Sequence, residues 1–274
     1  MSDKPSRTRV RAERQDNLGW GLRVVVTLVG LLLVAPTIVV IPMSFSGGQT
    51  FEFPPKTWSW RWYGEFFGSD AWMSSLITSV KIGLVVATIA TVLGVAAAFG
   101  LDRSRFAGKG ALRSFVMAPM IMPGIVVAVA VYAVFLRWQL NGTFTGFVLA
   151  HTVLALPFVI TSVSTSLAGY DRTLENAAAS LGARSWTTFL RITVPLILPG
   201  VLSGFLFAFV ASLDEIVIAL FLQTPEIRTL PVQMYNSITL EIDPTIAAAS
   251  SLIVVVTTLA LLIPQLVRRQ RSTS

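Results

Sequence analysis

Apolar residues are gathered into six blocks of membrane length, at 22–43, 74–101, 114–136, 145–167, 196–220 and 245–267. A helix needs about 20 consecutive apolar residues to cross the hydrocarbon core of a bilayer. The blocks are too long and too continuously apolar for barrel strands, in which apolar and polar positions alternate. Open sheets leave backbone groups unpaired in lipid. The pattern therefore predicts an all-α polytopic membrane protein with six transmembrane helices. Between the fourth and fifth blocks the apolar pattern stops. Good helix formers run from Glu175 to Leu181 with no proline. Gly182 offers a stop, because glycine takes positive φ without penalty, and Pro195 and Pro199 open the next block. A short, largely polar helix is thus expected at the membrane surface, where its use is to be docked on by a soluble partner.

Charge orients the blocks. Only 13% of residues are charged, about half the share of a soluble domain. Lys4, Arg7, Arg9, Arg11 and Arg14 precede the first block; Arg103, Arg105, Lys109 and Arg113 follow the second; Arg268, Arg269 and Arg271 follow the last. Loops 103–113 and 171–191 fall on the side of both termini and hold most of the Lys and Arg. Loops 47–73, 137–144 and 221–244 fall on the other side. They hold Glu52, Glu65, Asp70, Glu226, Glu241 and Asp243 against Lys56, Arg61, Arg137 and Arg228. By the positive-inside rule both termini are expected in the cytoplasm. The net charge of +7 is then an orientation signal, not a nucleic-acid footprint. The first block is expected to stay as an anchor: it is long for a signal peptide, carries Pro36 and Pro42, and has no A-x-A site. The chain divides into a basic tail 1–21, a membrane domain 22–267 containing the surface loop 168–195, and a C-terminal tail 268–274.

Chemistry is sparse. There is no cysteine, no G-x-x-x-x-G-K-[ST] loop, no HExxH and no G-x-S-x-G elbow. Gly108-Lys109-Gly110 lacks the upstream glycine and the following hydroxyl. The one histidine, His151, is expected to hydrogen-bond a neighbour. No catalytic residue, metal site or cofactor is expected, so any work done on a solute draws its energy from a partner.

Asp214 and Glu215 interrupt the fifth block, and carboxylates in a membrane face a cavity or a partner. Asp214 lies fifteen residues past Pro199, about 22 Å along a helix, which places it in the outer half of the bilayer. Adjacent side chains point about 100° apart, so only one of the two can face a path squarely. The alternative is an ion pair with Lys81. Trp58, Trp60, Trp62 and Trp72 fit an interfacial belt. Gly83, Gly94 and Gly100, with Ala96, Ala97 and Ala98, suit close helix contact. Pro119, Pro123 and Gly124 start the third span and Pro157 lies within the fourth; prolines in spans kink helices, with or without a gating role. Tyr132, Tyr235 and Trp138 suit either stacking on a cation or interfacial anchoring.

The stretch Leu174-Glu175-Asn176-Ala177-Ala178-Ala179-Ser180-Leu181-Gly182, followed by Ile192-Thr193-Val194-Pro195, resembles the signature loop of the inner-membrane permeases of binding-protein-dependent ABC importers. That pattern is E-A-A, three residues, G, nine residues, I-x-L-P. Ala177, Ala178, Gly182, Ile192 and Pro195 stand in register. Asn176 stands where the Glu belongs, with Glu175 one place earlier, and Val194 replaces Leu. The resemblance implies the type I ABC importer permease fold. It also implies a helix that docks in a cleft of a cytoplasmic ATPase through Glu175, Asn176, Ala177, Ala178, Leu181, Gly182 and Arg184, with Arg191 near the rim. The implied partners are a second permease subunit in a heterodimer, two ATPase subunits and an extracytoplasmic substrate-binding protein, all at a bacterial inner membrane.

A second resemblance narrows the cargo. Residues 213–221, Arg228-Thr229-Leu230-Pro231 and 242–248 are similar to the spermidine/putrescine branch of these permeases, and most like the second permease type. This implies polyamine uptake by alternating access, with Asp214 and Glu215 on the substrate pathway. An importer of ferric ion or an organic cation is the alternative within the class. A secondary transporter is the alternative outside it, and would need no ATPase-docking helix.

Overall fold

A computed structural model describes residues 20–240 and 243–271. The basic residues of the N-terminal tail, Glu241 and residues 272–274 lie outside the described residues. The described chain is helical throughout, apart from one bridge between Ser46 and Trp58. Its elements are α1 (Trp20–Met43), α2 (Arg61–Gly68), α3 (Asp70–Arg103), α4 (Lys109–Ile121), α5 (Gly124–Trp138), α6 (Phe144–Ala168), α7 (Thr173–Ser180), α8 (Ser185–Thr188), a π-helical turn (Phe189–Thr193), α9 (Val194–Leu213), α10 (Val217–Leu222), α11 (Leu230–Thr239) and α12 (Thr245–Arg271).

Among the described residues, α1, α3, α6 and the run Ser185–Leu213 are long and apolar enough to cross a membrane. The third expected span is not continuous. It is split into α4 and α5, bent by 102°, and counts as a fifth crossing only if the bent pair is one span. Pro123 has no N–H, and it forces Met122 out of the α region, to φ −71° and ψ 139°. The fifth expected span also changes at both ends. Its helix begins at Ser185, well before Pro195, and stops at Leu213, where Asp214, Glu215 and Ile216 interrupt it before α10. Pro195 shapes the start differently from the expectation. It cannot donate to the Arg191 carbonyl and its ring crowds it. The chain responds with a wider turn, in which the Val194 N–H bonds to the Phe189 carbonyl five residues back.

The core lies where α3, α6 and α9 meet, around Val86, Ala90, Phe147, Val159, Ile160, Val163, Ile197 and Ala208. Lipid tails are as apolar as Leu, so helices in a membrane are held by close packing and interhelical hydrogen bonds. Val159 of α6 is gripped by two glycines. A Cβ at Gly94 of α3 would lie 2.6 Å from its Cγ1, and one at Gly204 of α9 would lie 3.1 Å from its Cα. The Ser162 hydroxyl donates to the Gly200 carbonyl at 2.9 Å across the same seam. Gly83 is similarly close to Phe209, whereas Gly100 faces open space and makes no such contact.

The aromatic outer loop is not a uniform belt. Its residues 61–68 form α2, a short amphipathic helix absent from the sequence reading, which puts Trp62 and Phe66 on one buried face. Phe66 packs with Trp72, Leu230, Ile246 and Ala249. Trp62 and Trp72 are therefore core residues, while Trp58 and Trp60 remain 68% and 71% exposed. Tyr63 shares a hydrogen bond of 2.7 Å with Ser44 and reaches Ser251 of α12.

Candidate docking loop and intramembrane carboxylates

The loop between α6 and α9 builds a small, sharply bounded helix. At its start the Asp171 carboxylate accepts the Thr173 N–H at 2.9 Å. Hydrogen bonds from Thr173 hold that carboxyl below its usual range. At its end the Gly182 N–H bonds to the Ala179 carbonyl and the Ala183 N–H to the Ala178 carbonyl, both at 3.0 Å. This paired pattern needs a left-handed residue after the cap, and Gly182 supplies it at φ +80°. Arg184 is extended and leads into α8.

The expected docking residues do not all face the same way. Asn176, Ala177, Leu181, Gly182 and Arg184 are exposed, and Ala178 is half-buried. Leu181 is 89% exposed, and Leu174, Trp186 and Leu190 are exposed near it. That is an apolar surface outside the six apolar blocks, with nothing among the described residues covering it. Glu175 instead turns inward. Its carboxylate pairs with Arg103 at the end of α3 and accepts the Thr193 hydroxyl at 2.7 Å. Partial burial pushes the Glu175 carboxyl up, but the Thr193 hydroxyl, the Arg103 charge and the nearby Tyr170 hydroxyl together hold it below the usual carboxylate range. Arg172 pairs with Asp102 beside it. A cleft of about 200 Å³ opens between Arg103 and Glu175 on one side and Ser185, Thr188 and Phe189 on the other. Asp102, Arg103, Arg172 and Thr193 were not singled out as site residues from sequence. Their signal was available: two opposite-charge pairs in two loops assigned to the same side of the membrane.

The two carboxylates expected at membrane depth have separate surroundings and follow the end of the run Ser185–Leu213. Glu215 accepts the N–H groups of Ile218 at 2.9 Å and Ala219 at 3.0 Å, so it caps α10. One of its oxygens lies 3.6 Å from Nε2 of buried His151, whose Nδ1 is 2.9 Å from the Ser212 hydroxyl. Asp214 sits at the C-terminal cap of α9 and is exposed. Among the described residues neither carboxylate pairs with Lys81, which is exposed on α3. The terminal carbonyls of a helix carry partial negative charge, so the end of α9 and the Asp214 carboxylate both favour a cation. Tyr132 of α5 sits edge-on to Phe221 of α10 at 5.9 Å.

Comparison with known proteins agrees with this architecture. The profile of the family described as "Binding-protein-dependent transport system inner membrane component" matches residues 90–272. The chain is 32% identical over 240 residues to the spermidine/putrescine transport system permease protein PotC of Haemophilus influenzae, covering 88% of this chain and 93% of that one. It is 34% identical over 239 residues to the putrescine transport system permease protein PotI of Escherichia coli, covering 84% and 85%. Its fold is that of a bacterial alginate ABC transporter solved in complex with an alginate pentasaccharide-bound periplasmic protein. The TM-score is 0.67 at 15% identity, over 88% of this chain and 90% of that one.

Proposed function

This chain belongs to the family of binding-protein-dependent transport system inner membrane components, the non-catalytic transmembrane subunits of ABC importers, and we propose that it forms one half of a polyamine-importing pore. Membership makes it a multi-pass inner-membrane protein, working with an ATPase and a periplasmic binding protein. The finer reading is a six-span subunit, with the bent α4–α5 pair as the third span and α12 as the sixth. Both termini lie in the cytoplasm, and the pore is completed by a sister permease as a heterodimer. Residues 22–267 form the permease domain between the two tails, and loop 168–195 docks the ATPase through Asn176, Ala177, Ala178, Leu181, Gly182 and Arg184. ATP-driven closure of the ATPases moves α7, and the motion passes into the run Ser185–Leu213. That run ends at Asp214, so the docking loop and the outer vestibule are two ends of one element.

The observation that carries the substrate class is Asp214. It is a carboxylate expected at membrane depth, unpaired among the described residues, at the carbonyl end of a 20-residue helix. Such groups mark solute paths, and this one suits a cationic amine. Glu215, spent on capping α10, shapes the break and contributes negative potential. The identity to the PotC and PotI permeases supports polyamines over ferric ion or another organic cation. The test is Asp214→Asn in the assembled importer. Spermidine and putrescine uptake should fall about tenfold or more, the size of a lost charge-assisted contact, with the protein still in the membrane. Unchanged uptake would remove Asp214 from the pathway.

A further inference from the structure

We propose that Arg103, Glu175 and Thr193, together with the pair Asp102–Arg172, form a clamp that makes α7 move as one body with the inner ends of α3 and α9. Glu175 is then a positioning residue within this chain, and its partner is Arg103 rather than a group on the ATPase. The inference rests on α7 being the ATPase-docking helix.

The need for a clamp follows from α7 itself. It has eight residues, and none of them is buried. A helix that short does not hold itself in water, and it has no apolar anchor in the membrane domain. Its attachments are polar and converge on one spot. Asp102 and Arg103 are consecutive at the end of α3, Arg172 and Glu175 are three apart at the start of α7, and they pair in order with the charge signs reversed between the two pairs. One Glu175 oxygen, Oε1, takes both the Arg103 guanidinium and the Thr193 hydroxyl. Thr193 is fully buried as the last residue of the π-helical turn, so the same carboxylate touches all three helical segments. Arg103 is itself held in place, 5.2 Å over the Phe99 ring, and Phe99 packs edge-on against Phe189 of the π-helical turn at 5.3 Å. Arg103 and Glu175 are 46% and 20% exposed, against 56% and 29% for Arg172 and Asp102, and only Glu175 also reaches the buried Thr193. Exposed pairs are worth little, so the Arg103–Glu175–Thr193 side carries most of the coupling. A push on the exposed face of α7 then reaches α3 and α9 without slack.

The test is a charge exchange in the importer reconstituted with its ATPases and binding protein. The readouts are polyamine uptake per ATP hydrolysed and the amount of ATPase that co-purifies. Arg103→Glu and Glu175→Arg should each lower uptake per ATP by about tenfold, and the double exchange should recover it to within about threefold, as contacting residues couple in double-mutant cycles. An exchange no better than its singles overturns the clamp and returns Glu175 to the ATPase interface. A second measurement works even if those variants fold poorly. The chain has no cysteine, so Asp102→Cys with Arg172→Cys can be joined selectively by a short cleavable thiol cross-linker. Uptake within about twofold of the uncross-linked protein supports one rigid body, and a loss of about tenfold that cleavage reverses shows that α7 swings against α3. Failure of the docking reading has its own signature. Leu181→Glu would then leave ATPase co-purification intact, whatever the exchange does.

Discussion

At the residue scale, neighbouring residues of one chemical type take different jobs because their backbones differ. Asp214 ends a helix and is exposed, while Glu215, one residue on, folds back to cap the next helix. Glu175 and Asn176 diverge for another reason: they share the backbone of α7, but successive helical side chains point about 100° apart, one inward to Arg103 and one outward. The Glu175 carboxyl is held below its usual range. Its stabilising effect is therefore present above the ordinary carboxylate range and is lost as pH falls through the depressed value. Glu175→Gln should melt below the native protein at neutral pH, and the gap should close under acid. A gap independent of pH, followed by thermal melting of both proteins in detergent across that range, would show that the charge is not what Glu175 contributes. That Glu175 looks inward was not legible in the sequence. Its partners are more than 70 residues upstream and 18 downstream, and only the folded loops bring them together.

At the element scale, prolines decide more than apolar length does. The blocks located α1, α3 and α6 within a few residues, since a long apolar run has no other stable form in lipid. Two breaks escaped the same reading. Pro123 was read as starting a span, yet it separates α4 from α5, which are bent by 102°. Pro195 was read as a helix start, yet it sits inside a continuous run and widens the turn before it. That wider turn holds Thr193 where its hydroxyl meets Glu175. Pro195→Ala removes the reason for the π-helical turn. A regular helix would rotate residues 185–193 by about 100° relative to α9 for the one residue gained. Uptake per ATP should then drop severalfold, while the yield of folded protein is retained. Coupling equal to the native protein would show that the turn plays no part in transmission. The outer loop teaches the converse lesson. Four tryptophans near a membrane suggested a belt, but helical spacing in α2 buried Trp62, and the core took Trp72.

At the scale of the whole molecule, one element joins the two proposed sites. The run Ser185–Leu213 begins beside the docking helix and ends at Asp214, and its middle is locked to α3 and α6 through Val159, Gly94 and Gly204. On the proposed reading, force applied at α7 travels along this run to the break at Asp214. The short helix α7 and its stop at Gly182 were legible because their signals are local: Glu175 to Gly182 lie within one short stretch. The cargo was less legible, because a single exposed carboxylate gives the sign of a charge and not a molecule. The central claim, a polyamine importer driven by a partner ATPase, is tested most directly by uptake into proteoliposomes holding this chain with its sister permease, ATPases and binding protein. Labelled spermidine should accumulate only with ATP, and unlabelled putrescine should suppress it while ferric ion does not. Uptake of ferric ion instead, or spermidine entry that needs no ATP, would contradict it.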